Sequence, residues 1–112
     1  MAVTTTVLIP GKIAENSETT QYTASGVKAI VDKFTALNYS AGAVTFSVNI
    51  VTVAGSAGNL NLIVKTKTLQ AGETYTFPEI VGQVLNAGDF ISTIASAATS
   101  ISFRASGREI TS

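Results

Sequence analysis

Apolar and polar residues alternate most clearly over residues 44–53. The apolar positions of that run are Val44, Phe46, Val48 and Ile50. A period of two is typical of a half-buried β-strand. Residues 27–37 alternate as well, but their apolar positions change parity near Asp32 and Lys33, which predicts a β-bulge there. We expect residues 39–42, which contain a glycine, to join these two strands as a short hairpin loop.

Further strands are predicted where short β-prone runs lie between turn residues. These runs cover residues 4–9, 18–24, 60–67, 74–77, 90–95 and 100–105. Pro10 and Pro78 end two of them, because proline cannot donate to a ladder of backbone hydrogen bonds. Lys65 and Lys67 stand on one side of their run, which indicates an edge strand. Residues 79–85 are ambiguous, since their apolar spacing also permits a single helical turn.

About eight short strands with regular turn signals predict an all-β protein. We expect a single-domain β-sandwich over residues 1–112, with either a jelly-roll or an immunoglobulin-like topology. Composition supports this interpretation, because 37 of the 112 residues are the β-branched types Thr, Val and Ile. Residues 1–6 are polar and are a candidate flexible N-terminal arm.

A short motif occurs twice in the second half of the chain. The sequence LQAGE at residues 69–73 is followed sixteen residues later by LNAGD at residues 85–89. Both copies combine a glycine with an acidic residue, and a carboxylate at the end of a turn accepts hydrogen bonds from nearby backbone N–H groups. We therefore predict two turns of the same type, capped by Glu73 and Asp89.

Several classes of function fit the composition poorly. The chain has no His and no Cys, so the commonest general base, the thiol nucleophile, zinc sites and disulfide scaffolds are absent together. Seven basic residues balance seven acidic ones at only 12% charged residues. This balance disfavours a strongly basic nucleic-acid binder, a polybasic membrane-surface module and a charged disordered tail. The start has no basic segment followed by an apolar one, so we expect no membrane partner.

The remaining candidates for chemistry are better explained by structure. A Ser–Lys nucleophile has no motif to support it, and pairing Glu73 with Asp89 as glycosidase carboxylates competes with their predicted capping role. The acidic cluster at residues 15–18 lacks the spacing of a calcium loop. A basic patch formed by Arg104, Arg108, Lys65 and Lys67 is less favoured than ordinary paired surface charge. We expect no catalytic residue, no metal ligand and no cofactor.

Four segments carry a resemblance to a known family. They are residues 24–34 (ASGVKAIVDKF), 69–75 (LQAGETY), 80–91 (IVGQVLNAGDFI) and 106–111 (SGREIT). Over roughly residues 22–111 the chain resembles small virion proteins of tailed bacteriophages, in particular capsid decoration proteins of the cement or staple type. The resemblance implies a β-sandwich that binds the exterior of a capsid shell, with the major capsid protein as partner, in a virion assembled in the host cytoplasm.

Two other functions stay open from the sequence. One is a tail, head–tail joining or baseplate protein, and the other is a carbohydrate-binding sandwich for host attachment. We expect a homo-oligomer, a dimer or else a trimer, and no direct nucleic-acid partner. The candidate interface residues are Ala2, Val3, Thr4, Thr5, Thr6, Tyr22, Tyr39, Arg104 and Arg108. Ala2–Thr6 would add a strand to the sheet edge of a partner, and Tyr22 and Tyr39 are loop candidates for a sugar platform.

Overall fold

Nine β-strands account for most of residues 2–111, the part of the chain that the computed structural model describes. They are β1 (Ala2–Ile13), β2 (Thr19–Thr23), β3 (Lys28–Asn38), β4 (Val44–Val51), β5 (Leu62–Leu69), β6 (Thr74–Thr76), β7 (Val84–Leu85), β8 (Phe90–Ala95) and β9 (Ile101–Thr111). A one-turn 3-10 helix at Asn59–Asn61 lies between β4 and β5. The predicted all-β class is therefore confirmed.

The strands form two antiparallel sheets. In the first sheet β1, β9, β3 and β6 lie side by side in that order, and β7 also pairs with β3. In the second sheet the order is β2, β8, β4, β5. The first and last strands are neighbours, as are the second and the eighth, so the chain folds back along itself around the sandwich. This strand order is that of a jelly roll, which decides between the two predicted topologies.

Four phenylalanines hold the two sheets together at the centre of the sandwich. Phe34 of β3 and Phe103 of β9 belong to the first sheet, Phe46 of β4 belongs to the second, and Phe77 follows β6. All four are buried. The ring centroids of Phe46 and Phe103 lie 5.4 Å apart between the two sheets. Phe34 packs edge to face on Phe77, with their ring centroids 5.5 Å apart. These are favourable geometries for aromatic pairs, so the sequence buries its largest side chains where the sheets face each other.

The bulge predicted in β3 is confirmed. The register between β3 and β9 shifts between Val31 and Lys33. Val31 and Phe34 are buried on either side of the shift, and Asp32 and Lys33 are both exposed. One inserted residue therefore puts two consecutive charged side chains on the outer surface of the sheet.

The predicted hairpin between β3 and β4 is wrong, because residues 39–42 cross from the first sheet to the second. The buried Asn38 fixes this crossing. Its Nδ2 donates to the carbonyl oxygens of Gly42 and Leu69, both at 2.8 Å, and its Oδ1 accepts from the N–H of Ser40 at 2.9 Å. Local sequence does not distinguish a hairpin from such a crossing, since both need a short glycine-containing loop.

The two repeated turns form as predicted. The carboxylate of Glu73 accepts a hydrogen bond from the backbone N–H of Gln70 at 2.7 Å, and that of Asp89 accepts from Asn86 at 2.9 Å. In both copies the backbone closes in the same way, with the acidic residue donating its N–H to the carbonyl of Gln70 or Asn86. The capping roles are therefore confirmed.

Each repeated turn also carries the chain from one sheet to the other and contacts the end of a further strand. Gly72 donates its N–H to the carbonyl of Asn38 at 2.8 Å, and Gly88 donates to the carbonyl of Ala24 at 2.7 Å. Both glycines have positive φ, +76° and +92°. The repeated motif thus marks two equivalent points at which the chain crosses between the sheets of the jelly roll.

Several predicted boundaries differ from the structure, including those of β4, which ends at Val51, and β5, which spans Leu62–Leu69 in place of residues 60–67. β1 continues through Pro10 to Ile13, because it is an edge strand whose register shifts near Ile9 accommodate the proline. Residues 79–85 form turns that lead into β7, and the N–H of Val81 donates to the carbonyl of Phe77 at 3.2 Å, which closes a single helical turn that does not continue into a helix. β9 extends six residues beyond the predicted 100–105 strand, to Thr111. Within residues 2–111, no helix is long and apolar enough to cross a membrane.

Candidate functional site

The outer surface of the first sheet presents an unusual mixture of side chains. We call the outward-pointing residues of β1, β9 and β3 the β1–β9–β3 face. It carries the aliphatic residues Val3, Val7, Ile13, Ile30, Leu37 and Ile110, the cations Lys28, Lys33, Arg104 and Arg108, the anion Asp32, and hydroxyl residues between them. Val3, Val7 and Ile13 are 56%, 42% and 48% exposed. Exposed aliphatic side chains gathered on one face are typical of a protein contact surface.

The β1–β9–β3 face is also positively charged. Its four cations and one anion give a formal charge of +3 in a chain whose net charge is zero, so the rest of the molecule carries −3. Among residues 2–111, Lys28, Lys33 and Arg104 make no side-chain hydrogen bond or ion pair. The face therefore offers three cations that a partner can pair.

Arg108 differs from the other cations, because Asp32 holds it. The guanidinium donates to both carboxylate oxygens of Asp32, at 2.8 and 3.0 Å. These hydrogen bonds lower the pKa of Asp32. The pair is exposed, so water screens it and it orients the two side chains more than it stabilises the fold.

A groove of about 610 Å³ lies at one end of this face. Ile13 and Leu37 contribute its apolar lining, and Lys33 and Arg104 contribute positive charge. An apolar floor beside unpaired cations suits a partner segment that carries aliphatic and acidic side chains.

The predicted N-terminal arm is instead part of a strand. Ala2–Thr6 belong to β1 and pair with residues 107–111 of β9. Residue 1 lies outside the described residues. The far side of this segment has no strand beside it within residues 2–111, so Ala2–Thr6 keep one unpaired edge.

The two tyrosines singled out from the sequence lie far apart. Tyr22 is in β2 and not in a loop, and its hydroxyl donates to Glu109, which lies opposite Ala29 near the start of β3. Tyr39 follows the other end of β3 and is 46% exposed. The length of β3 separates them by roughly 30 Å. They do not form one aromatic platform for a sugar ring.

The basic patch considered for Arg104, Arg108, Lys65 and Lys67 does not form. The two lysines lie on β5, which is an edge strand as predicted, but of the second sheet. Lys67 stands 4.4 Å above the ring of Tyr75. The cation that shares a groove with Arg104 is Lys33, which the sequence analysis missed. The predicted bulge in β3 could have identified Lys33, because the inserted residue puts its side chain on the outer surface of the sheet.

The acidic cluster at residues 15–18 is used for contacts within the chain. Glu15 accepts from Gln21 at 2.9 Å and from Lys12 at 3.0 Å, and these contacts lower its pKa. Glu18 accepts from the hydroxyl of Ser92. Within residues 2–111 no group of three or more acidic residues is arranged to hold a metal ion.

Comparisons with known proteins identify a fold and no family. No family model and no curated protein matches the chain. The chain is similar to a solved structure described as Bacillus endospore appendages that form a novel family of disulfide-linked pili. The similarity has a TM-score of 0.52 at 14% sequence identity and covers 97% of this chain and 88% of that one. At this identity the likeness shows a shared fold.

Proposed function

We propose that this protein is a structural protein of a tailed-bacteriophage virion and that it binds the exterior of the capsid shell through the β1–β9–β3 face. The observation that carries the proposal is the composition of that face, which combines exposed valine and isoleucine side chains with three cations that form no ion pair within residues 2–111. A subunit of this kind acts by burying surface at many equivalent sites, where avidity multiplies weak individual contacts.

Two further observations support a contact role over catalysis. The titratable groups that sequence reasoning considered for chemistry are engaged in structure, with Glu73 and Asp89 capping turns and Glu15 bound to Lys12 and Gln21. The fold is similar to that of a solved structure described as Bacillus endospore appendages that form pili. The phage assignment rests on the resemblance of residues 22–111 to decoration proteins.

The face also defines the partner. Its charge of +3 calls for an acidic surface on the major capsid protein, and its aliphatic residues call for an apolar centre within that surface. Nucleic acid is a poorer match, because no aromatic side chain on the β1–β9–β3 face is available for base stacking.

Co-sedimentation with DNA-free capsid shells tests the proposal. We expect the chain to bind shells and binding to weaken as salt rises, because exposed charges contribute. The double variant Lys33→Glu/Arg104→Glu should bind at least about tenfold more weakly. Lys65→Glu/Lys67→Glu is the matched control, since it makes the same charge change on β5 of the second sheet. Binding of the double variant at the wild-type level would contradict the proposal.

Copy number separates this role from a tail or joining role. A decoration protein is present at hundreds of copies per particle, whereas a tail or joining protein is present at about six to a few dozen, as its ring symmetry requires. Gel densitometry of purified virions measures this number directly. A count in the lower range would replace the decoration role with the tail role.

A second candidate function is a self-assembling filament subunit. The observation that favours it is the fold shared along 97% of the chain with a pilus structure. Because this sequence contains no cysteine, such a filament could not be linked by disulfides. Electron microscopy of the concentrated protein distinguishes the two, since only the second function predicts filaments without a shell.

A further inference from the structure

The first half of β1 is an unprotected sheet edge. Ala2–Val7 make six consecutive residue pairs with β9 and show no register shift. Ala2–Thr5 and Val7 are exposed and Thr6 is half-buried. Within residues 2–111 no strand pairs with the outer side of this segment, and backbone groups on such an edge readily pair with another strand.

The other sheet edges have charged residues, irregular backbone or short strands, which disfavour pairing with a strand of another chain. β5 carries Lys65 and Lys67, and Thr66 between them has a φ of +46°, which breaks the regular edge. β2 has five residues and a register shift, and β6 and β7 have three and two residues. Among the described strands, the segment Ala2–Val7 is thus the long, regular edge without charge, proline or bulge.

The sequence of this segment is symmetric about its centre. Residues 3–7 are Val-Thr-Thr-Thr-Val, which reads the same in both directions. If two copies pair antiparallel with Thr5 opposite Thr5, Val3 meets Val7 of the second copy and Thr4 meets Thr6 of the second copy. Every facing pair is then Val with Val or Thr with Thr, and such cross-strand pairs are favourable.

We propose that the partner of this edge is a second copy of the chain, paired through β1 in an antiparallel arrangement with a two-fold axis at Thr5. The uncharged segment brings no like charges together across the axis, whereas two copies of β5 would oppose lysines. The pairing is isologous and closes as a dimer. It joins the first sheets of the two copies and makes their β1–β9–β3 faces continuous. This inference does not depend on the particle to which the protein belongs.

Single cysteines test the register, because the natural sequence contains none. Directly opposed residues of antiparallel strands lie about 4.5–5.5 Å apart between Cα atoms, within disulfide range. Thr5→Cys should therefore form a disulfide dimer on mild oxidation. Val3→Cys should not, since the offset of four residues puts its two thiols roughly 14 Å apart. A mixture of Val3→Cys and Val7→Cys should form the mixed dimer.

The control for random collision is Thr68→Cys, which puts a thiol at an exposed position of the β5 edge. Equal yields of disulfide dimer from Thr5→Cys, Val3→Cys and Thr68→Cys would overturn the proposal. A yield confined to Thr5→Cys and to the Val3→Cys with Val7→Cys mixture would establish both the interface and its register.

Sedimentation with charge variants tests the interface without a covalent bond. The wild type should form a dimer, and Thr5→Lys and Thr5→Glu should each raise its dissociation constant at least about tenfold, because like charges meet at the axis. An equimolar mixture of the two variants should recover the dimer, and Thr68→Lys should sediment as wild type. A wild type that stays an 11.5 kDa monomer up to about 1 mM would overturn the proposal.

Discussion

The hydroxyl of Tyr22 donates a hydrogen bond to Glu109 and thereby joins the two sheets of the jelly roll, since Tyr22 lies in β2 and Glu109 in β9. The two residues are 87 positions apart in the chain. Burial, followed by the hydrogen bond to the carboxylate, raises the pKa of Tyr22. Glu109 is paired with Thr4 of β1 and with Ala29 of β3, so this contact lies next to the first half of β1.

Removing this hydroxyl should destabilise the fold. We expect Tyr22→Phe to lower the free energy of unfolding by about 1.5–2 kcal/mol, because a half-buried carboxylate loses its donor. Urea unfolding measures the change. Tyr39→Phe is the matched control, since removing its exposed hydroxyl should change the free energy of unfolding by less than about 0.5 kcal/mol. Equal losses for the two variants would contradict a specific role for the Tyr22–Glu109 contact.

Alkaline pH should lower the free energy of unfolding through ionisation of the Tyr22 hydroxyl. The unfolded chain releases the Tyr22 proton near pH 10, whereas the folded chain holds it to higher pH. The unfolded state therefore binds fewer protons above pH 10, so this contribution is complete below pH 10 and is lost as pH rises towards the folded pKa.

The comparison with Tyr22→Phe isolates this effect. Between pH 10 and 11.5 the wild type should lose up to about 1.4 kcal/mol per pH unit more than the variant. Urea unfolding at a series of pH values provides the measurement. Parallel curves for the two proteins would show that the pKa of Tyr22 is the same in both states.

The two repeated turns should respond differently to alanine. A Cβ at Gly88 would lie 2.5 Å from Cγ2 of Val53, whereas a Cβ at Gly72 would meet nothing within 4 Å. Both glycines have positive φ, so both variants carry backbone strain of about 1–2 kcal/mol. Because of the clash with Val53, Gly88→Ala should lower the free energy of unfolding by about 1–3 kcal/mol more than Gly72→Ala does. Thermal unfolding of the two variants tests this difference, and equal melting temperatures would refute it.

Asn38 should be among the most sensitive polar positions of the chain. Asn38→Ala removes the hydrogen-bond partner of the buried Leu69 carbonyl, the half-buried Ser40 N–H and the exposed Gly42 carbonyl. We expect a loss of about 2–4 kcal/mol in urea unfolding. The exposed Asn59→Ala serves as the control and should change stability by less than about 0.5 kcal/mol. A small effect at Asn38 would mean that water replaces its hydrogen bonds.

Local features of the fold were readable from the sequence. The strand Phe90–Ala95 has the predicted bounds, the bulge falls at Asp32, and Glu73 and Asp89 cap their turns. Each of these depends on residues within a few positions of one another. Alternation, turn glycines and side-chain capping act at that range, so a single segment carries enough information.

Long-range relationships were not readable in the same way. The loop after β3 has the composition of a hairpin, and only the packing of two sheets turns it into a crossing. Lys33 and Arg104 share a groove because β3 and β9 are neighbours, although 71 residues separate them in the chain. Arg104 and Arg108 lie on one strand, β9, but the sequence did not show that Lys33 and Asp32 of β3 lie beside them.

The sequence by itself determined that this protein is a β-sandwich with capped turns and a symmetric Val-Thr-Thr-Thr-Val segment. Only the tertiary structure decided that this segment is an unprotected edge and that the outer face of its sheet is positive and partly apolar. The physical reason is that strand pairing is non-local. A strand's own residues specify its two faces, but which edge stays open and which side chains meet depend on strands far away in the chain.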